Sequence, residues 1–475
     1  FYKKNYLMKY LSTRGSQKNL SYNEVLLQGL SHDGGLFVPI NWPTFSLDEL
    51  KEMSKLDYSD LASRIIEKFS SEDISFSNLE RMCKKTYQNF EGEDIAPLKE
   101  IGENNYVLEL FHGPTWAFKD YAMQYLAHDF ERALKTTNQK SLILGATSGD
   151  TGSAALQAFS GLENLDIFIL FPKGRVSPVQ EAQMTSIIDI GANAVEIEGD
   201  FDDCQQIVKD IFADTNFREE VNLSAVNSIN WARVIPQIVY YFYSAFKLGS
   251  PNKKVSFSVP TGNFGNIYAG WCARKMGLPI DRLICASNKN NILPRFFNSG
   301  SMKRKIVEAS ISPSMDIQVS SNFERLLFEI YDRDELKVKY DLEKFNLEGF
   351  YSIPQNKLKS LKELFISYYL DDNGILEEIK RVYKKANMII DPHTACGTFA
   401  ADRVRLNNQV DPNIPIISLA CAHPCKFPDA VFNSIGIRPR LPEKSQDLLA
   451  RDKKSLKAPA EKETIKDLLK TGWRN

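Results

Sequence analysis

The chain has 475 residues, 43% hydrophobic and 25% charged, with a formal net charge of −1. This length calls for two or three domains. The charge balance offers nucleic acid no basic footprint, and no apolar run approaches the roughly 20 residues of a membrane span. Seven scattered cysteines suit a reducing compartment better than a disulfide framework. Phe1 to Lys9 carries no apolar h-region of a signal peptide, so a cytoplasmic protein is expected.

From the amino end, MKYLSTRG predicts a strand, LSHDGGLFVP a double-glycine turn, and Ser46 to Cys83 helices with acidic and basic faces. Beyond about residue 105 the pattern changes to short apolar runs, Gly- or Ser-rich turns and amphipathic stretches. SLILG (141–145) precedes ATSGDTG, DIFILF (166–171) precedes PKGR, and NAVEIEG precedes DDCQQIVKDIF. KVSFSV (254–259), RLICA (282–286) and PIISLA (415–420) repeat the scheme. Strand, turn and helix signals alternating in this way predict parallel sheets covered by helices, one sheet in each half. Residues 300–385 read as helical and charged, and the polar stretch after about 440 as ending in a surface helix.

In such sheets ligands collect at the carboxyl ends of strands, so the turns carry the chemistry. FHGPTWAFKD (111–120) sets Lys119 among Phe111, Trp116 and Phe118. Lys119 is either a surface lysine with its stem on apolar neighbours or an amine that must be uncharged to attack an aldehyde. VPTGNFGN (259–266) places Gly262 and Gly265 where backbone N–H groups can line a concavity at a helix start, with Thr261, Asn263 and Asn266 as further donors. It lacks the lysine of a nucleotide P-loop and is not a GxGxxG fingerprint. ATSGDTG (146–152) is a second nest, with hydroxyls on Thr147, Ser148 and Thr151 and open backbone at Gly149 and Gly152; Asp150 argues against a bare anion pocket there.

RVSPVQEAQM and AVNSINWAR add Arg175, Ser177, Gln180, Asn227, Ser228, Asn230 and Arg233, either a solvated face or a second phosphate site. SLACAHPCKFPDAV holds Cys421, His423 and Cys425, but no partner pair stands at zinc spacing, so no metal is expected. DPHTACG (391–397) reads as a turn with a structural His393. No Gly-x-Ser-x-Gly elbow follows a strand, which disfavours a serine hydrolase.

Taken together, LELFHGPTWAFKD, GATSGDTGSAA, LFPKGRVSPVQEAQM, AVNSINWARVIPQIVYYFYS, VPTGNFGN, MDIQVSSNFERLLF and CAHPCKFPDAV resemble the threonine synthase family, nearest its proteobacterial and fungal branch. The likeness runs in collinear order from about Met8 to beyond residue 440. It implies an α/β chain of the fold type II, pyridoxal-phosphate-dependent class, similar to the tryptophan synthase β chain. An N-terminal α+β domain (1–95) would precede a two-lobe parallel-sheet core (96–475), with a small lobe at about 120–225 and a helical insertion at about 300–385.

By the same resemblance, Lys119 would carry pyridoxal phosphate, and Gly262, Asn263, Phe264, Gly265 and Asn266 would hold its phosphate. Ser148, Gly149, Asp150 and Thr151 would face the cofactor ring and the substrate carboxylate, with Thr147 beside them. Arg175, Ser177, Asn227 and Arg233 would meet a substrate phosphate. The implied reaction takes O-phosphohomoserine and water to threonine and phosphate; a phospho-lyase releasing 2-oxobutyrate and a non-catalytic relative are the alternatives. The implied partner is that small molecule, with a monomer expected and a homodimer as the other option. Two positions depart from the family pattern. Cys421 stands where a threonine usually meets the ring nitrogen, and Asn291 stands where an aspartate is common.

Overall fold

The computed structural model describes residues 8–187 and 189–474, so most of the amino-terminal stretch Phe1 to Lys9 lies outside the described residues. Strands β1 (Tyr10–Ser12), β2 (Lys18–Leu20) and β3 (Phe37–Pro39) form a small antiparallel sheet in the order β2-β1-β3. Helices Leu47–Met53, Tyr58–Ser70 and Phe76–Tyr87 follow, each begun at a serine or aspartate; Ser46 closes a full capping box with Glu49.

The rest is built on two sheets. Strands β4 (Leu98–Gly102) and β5 (Asn105–Glu109) lead into the first, and the chain then crosses to β6 (Ser141–Ala146), β7 (Leu165–Pro172), β8 (Ala192–Glu198) and β9 (Leu223–Ser224). It returns through β10 (Val255–Pro260) and β11 (Ile280–Ser287) to a hairpin of β12 (Ser301–Lys303) and β13 (Phe350–Ser352). Strands β14 (Phe365–Tyr369), β15 (Ile416–Ala420) and β16 (Leu456–Pro459) complete the set. The large sheet has the order β14-β11-β10-β15-β5-β4, parallel except for β4; the small sheet is β16-β8-β7-β6-β9, parallel throughout. Central strands covered on both faces are apolar along their whole length: all of LDIFILFP in β7 and all of VSFSVP in β10 are buried.

Three expectations need correction. The stretch 300–385 is not a helical insertion alone, since FISYY within it is β14, the edge strand of the large sheet. The polar carboxyl end does more than finish in a surface helix: LKAP pairs with β8 as β16, and Ile465 and Leu469 of the last helix pack into the small lobe's core. DPHTACG is a helix start, in which Asp391 accepts from the His393 and Thr394 amides and Pro392 takes the first helical position.

The N-terminal domain is bound to the core by buried charge and aromatic packing. The Arg14 guanidinium donates to both oxygens of Glu324 at 2.9 and 2.7 Å, and buried Arg325 donates to the Phe37 carbonyl at 2.9 Å. Trp231, fully buried, meets Tyr10, Trp42 and Phe69 edge-on or tilted. Such pairs add about 0.5–1.5 kcal/mol each beyond their buried area.

Candidate active site

The carboxyl ends of β5, β6, β10 and β15 open toward one cleft, and each delivers one of the turns singled out in the sequence. After β5 the chain runs through Trp116, whose φ of +59° lies in the left-handed region. Packing against Val179, Ala182, Cys425 and Leu448 holds it there. Ala117 bridges Ala422, and the Phe118 amide donates to the Cys421 carbonyl at 2.8 Å. Asp120 accepts from the Thr115 amide (2.8 Å) and hydroxyl (2.6 Å). This brace starts helix α1 (Lys119–Thr137) with Lys119 as its first residue, facing the cavity.

Lys119, with 11% of its side chain exposed, stands at the positive end of a helix dipole. Burial lowers its pKa, Asp150 opposes that, and the charges of Lys426 and Arg233 lower it further. Asp150 begins helix α2 (Asp150–Phe159), with Oδ2 3.5 Å from Lys119 Nζ. Burial pushes its carboxyl up, but the charges of Lys426 and Lys119 and the hydrogen bonds from Lys426 and Gln180 outweigh this and hold it below the ordinary carboxylate range. In the turn before it, Thr147 Oγ1 accepts from the amides of Gly149 (3.0 Å) and Gly152 (2.8 Å). Gly149 has φ +139°, and a Cβ there would fall 2.4 Å from Gln180. Thr151 lines the cavity, and Ser148 is half-buried beside it.

Across the cleft, Gly262 to Asn266 wrap the start of helix α5, once α3 (Pro178–Thr185) and α4 (Trp231–Lys247) have been passed; α5 spans Gly265–Lys275. A Cβ at Gly262 would lie 2.8 Å from the Ser314 carbonyl oxygen, so only glycine fits. Phe264 takes φ +64° and is held by Phe297 and Phe323. Asn266 is held by its oxygens: Tyr240 donates to Oδ1 at 2.7 Å, and Tyr241 donates to Oδ1 at 3.0 Å and to the main-chain carbonyl at 2.8 Å. Its Nδ2 is buried with no partner among the described residues, and so is Nε of Arg233 on α4. Burial brings the Arg233 pKa down to about 10, which leaves it a cation at neutral pH.

Cys421, next after β15, closes the floor. Its amide donates to Thr394 Oγ1 at 3.1 Å, its Sγ lies 3.7 Å from the Leu419 carbonyl, and burial pushes the thiol well up, so it stays protonated. His393 on helix α6 (Pro392–Leu406) also lines the cavity; its Nδ1 lies 2.9 Å from Asp391, and its Nε2 accepts from the Ser314 amide at 3.2 Å.

The cavity wall thus includes Lys119, Asp150, Thr151, Arg233, Gly262 to Asn266 and Cys421. It does not include Thr147, Ser148, Gly149, Arg175, Ser177 or Asn227. Arg175 and Asn227 are exposed, and Ser177 caps α3 by exchanging hydrogen bonds with Gln180. Asn291 accepts from Arg295 Nε at 3.1 Å, away from the wall. Sequence reasoning missed Lys426, whose Nζ is fully buried 2.9 Å from Asp150 Oδ1, and Gln180 as a partner of Asp150. The signal for Lys426 was present: like Lys119 it stands in an apolar turn, Pro-Cys-Lys-Phe.

A shielded amine, a glycine-formed cradle at a helix start and two unpaired buried donors fit a phosphorylated aldehyde cofactor. Family comparisons agree. The family described as pyridoxal-phosphate dependent enzyme matches residues 93–340, threonine synthase N terminus matches 9–87, and threonine synthase, C-terminal, matches 394–469. The chain is 45% identical over 455 residues to threonine synthase of Pseudomonas aeruginosa, covering 96% of each chain. It is 42% identical to that of Saccharomyces cerevisiae, over 90% of this chain and 89% of the other. Among solved structures it superposes on the PLP-bound threonine synthase of Brucella melitensis with TM-score 0.95 at 43% identity, covering 98% of this chain and 100% of that one. The yeast enzyme gives 0.92 at 39% identity, with 98% and 99% covered. With both lobes, the cleft between them and the N-terminal domain all matched, this chain belongs to the threonine synthase family of pyridoxal-phosphate-dependent enzymes.

Proposed function

We propose that the protein converts O-phospho-L-homoserine and water to L-threonine and phosphate. The observation that carries this reading is the pairing, across one cleft, of shielded Lys119 with a cradle whose neighbouring donors, Asn266 Nδ2 and Arg233 Nε, have no partner among the described residues. Gly262 to Asn266 would hold the cofactor phosphate, Lys119 its aldehyde carbon, and the Cys421 thiol the edge of its ring bearing nitrogen. When bound, pyridoxal phosphate supplies an electron sink that lets the Cα–H and Cβ–H bonds of the substrate break.

The chain's own groups supply the rest. Lys119, as free amine, takes the Cα proton and returns protons later in the cycle. Arg233 is the cation on the wall suited to a departing phosphate, and it keeps its charge in a desolvated place, where its attraction is strongest. Thr151, which lines the cavity, is assigned to the substrate carboxylate, with Ser148 and Gly149 behind it in the same turn, and Asp150 to the charge balance of Lys119. Apolar walls from Phe118, Phe264 and Met315 limit water in the cleft. Overall, the Cγ–O bond to phosphate is lost, water oxygen joins Cβ, and Cγ ends as a methyl group.

All seven cysteines are unpaired and buried, which supports a cytoplasmic enzyme. The test is to incubate purified protein and pyridoxal phosphate with O-phosphohomoserine and measure both products. Equal phosphate and threonine are expected. Phosphate with 2-oxobutyrate and ammonia would make the protein a phospho-lyase, and no phosphate release would leave it non-catalytic.

A further inference from the structure

Two lysines share one carboxylate in this site, Lys426 fully buried and Lys119 largely shielded at the cavity wall. Lys426 Nζ lies 2.9 Å from Asp150 Oδ1 and donates to the Thr115 carbonyl at 2.8 Å. Gln180 Nε2 donates to the same Oδ1 at 2.9 Å. What remains is Oδ2, 3.5 Å from Lys119 Nζ. Two ammonium groups and one carboxylate would leave an uncompensated positive charge out of water, which is costly unless one lysine gives up its proton.

The geometry selects which one. Lys426 makes two close hydrogen bonds, one of them to a carboxylate, and its side chain is fully excluded from solvent. A neutral amine there would forfeit the charge-assisted bond. Lys119 has only the longer approach to Oδ2, the Phe118 ring 5.2 Å away, and the start of α1 beneath it. The other charged or titratable groups facing Lys119 are Arg233 from α4, Cys421 after β15, and His393 with Asp391 at the start of α6. Arg233 adds repulsion, the Cys421 thiol is neutral, and His393 is already bonded through both nitrogens.

We propose that Lys426 is a positioning residue that claims Asp150 as its counter-ion and so keeps Lys119 the neutral amine. This rests on the reading of Lys119 as the cofactor-bearing lysine.

The test uses the full chain freed of cofactor. Pyridoxal phosphate is added across a pH series, and its capture is followed by absorbance. The free amine condenses with the aldehyde carbon and releases water, so the capture rate follows the neutral fraction of Lys119; borohydride trapping with peptide mapping shows where the label sits. In Lys426→Met, Asp150 is left with Lys119 as its only lysine partner, and the pH midpoint of capture moves up by about one unit or more. Lys426→Arg holds the midpoint near that of the unsubstituted chain, and adding Asp150→Asn to Lys426→Met brings it back down. A midpoint unchanged or lowered in Lys426→Met overturns the proposal while leaving the cofactor assignment intact. Should that variant not fold, Asp150→Asn alone must lower the midpoint, and no shift or a rise overturns the proposal equally. If the unsubstituted chain takes no label at Lys119, both readings fall together.

Discussion

Two glycine-rich turns face each other across the cleft, and they are built to opposite ends. In Gly262–Asn266 acceptors are engaged within the protein: Tyr240 and Tyr241 occupy Asn266 Oδ1, Asn322 donates to the Asn263 carbonyl and Ser320 to that of Gly262. Donors are left over, at Asn266 Nδ2 and nearby Arg233 Nε. In Thr147–Gly152 the Gly149 and Gly152 amides turn inward, both onto Thr147 Oγ1. That turn puts an acceptor, the Asp150 carboxylate, on the wall beside Thr151. Glycine spacing therefore sets how closely backbone can approach a ligand, and the pairing of neighbouring polar atoms sets which of them remain to meet it.

The largest break comes from removing the group on which both turns converge. Lys119→Ala should lower kcat/KM by at least ~10³-fold and abolish borohydride labelling of the chain. Next, Asn266→Asp reverses the cradle's sign by putting a carboxylate where the spare donor stood. Losing a hydrogen bond to a charged group costs about 1.5–3 kcal/mol, so pyridoxal phosphate should bind roughly ten- to a hundredfold more weakly, with unchanged far-ultraviolet circular dichroism. Gly262→Ala keeps the sign and tests reach alone. Its Cβ would meet main-chain atoms of Ser314 and Met315 at 2.8 and 3.2 Å. Overpacking of that kind costs about 1–3 kcal/mol, and the loss should again appear in cofactor affinity.

The opposition of the two turns was only half legible in the sequence. Strands β6, β7, β10, β11 and β15 could be read because buried parallel strands run as short apolar stretches stopped by glycine or proline. The turns after them, and Lys119 in its aromatic run, followed from the same punctuation. β14 was hidden because FISYY follows a helical stretch, Gln355–Lys362, that outweighs five residues at a sheet edge. β16 was hidden because LKAP is an exposed edge with little apolar character. Arg175 and Asn227 have the right chemistry for a phosphate yet sit exposed off the wall, while Ser228, in the same run as Asn227, lines it. Sequence distance hid the bond between Asp150 and Lys426, 276 positions apart and joined only by the crossing of the two lobes.

Acid separates the site from the frame around it. His128 on α1, against Thr86 of the N-terminal domain, and His423 beside Phe111 are each held by burial at a pKa of about 4, below the ordinary 6.5. The unfolded chain therefore binds their protons first as pH falls. Their contribution is complete above about pH 6.5 and is lost between there and pH 4, by up to a few kcal/mol in all. Urea unfolding at pH 7 and pH 5 should show the drop, and His128→Gln should make it shallower without moving the capture midpoint of Lys119.

The smallest effect is expected at Cys421, between the two turns. By the resemblance read from the sequence, Cys421 stands where a threonine hydroxyl is expected, and a thiol donates more weakly. Burial keeps it protonated, so it remains a donor, and its amide is already fixed by Thr394. Cys421→Thr restores the stronger donor with a similar volume. The added γ-methyl would share the space now held by Sγ, against Leu419 and the cavity. Cofactor affinity should stay level or rise, by about tenfold at most for one neutral hydrogen bond improved by some 1 kcal/mol. A collapse of binding in Cys421→Thr would mean that the ring does not meet residue 421, and that the floor of the cleft serves only to anchor the Phe118 amide.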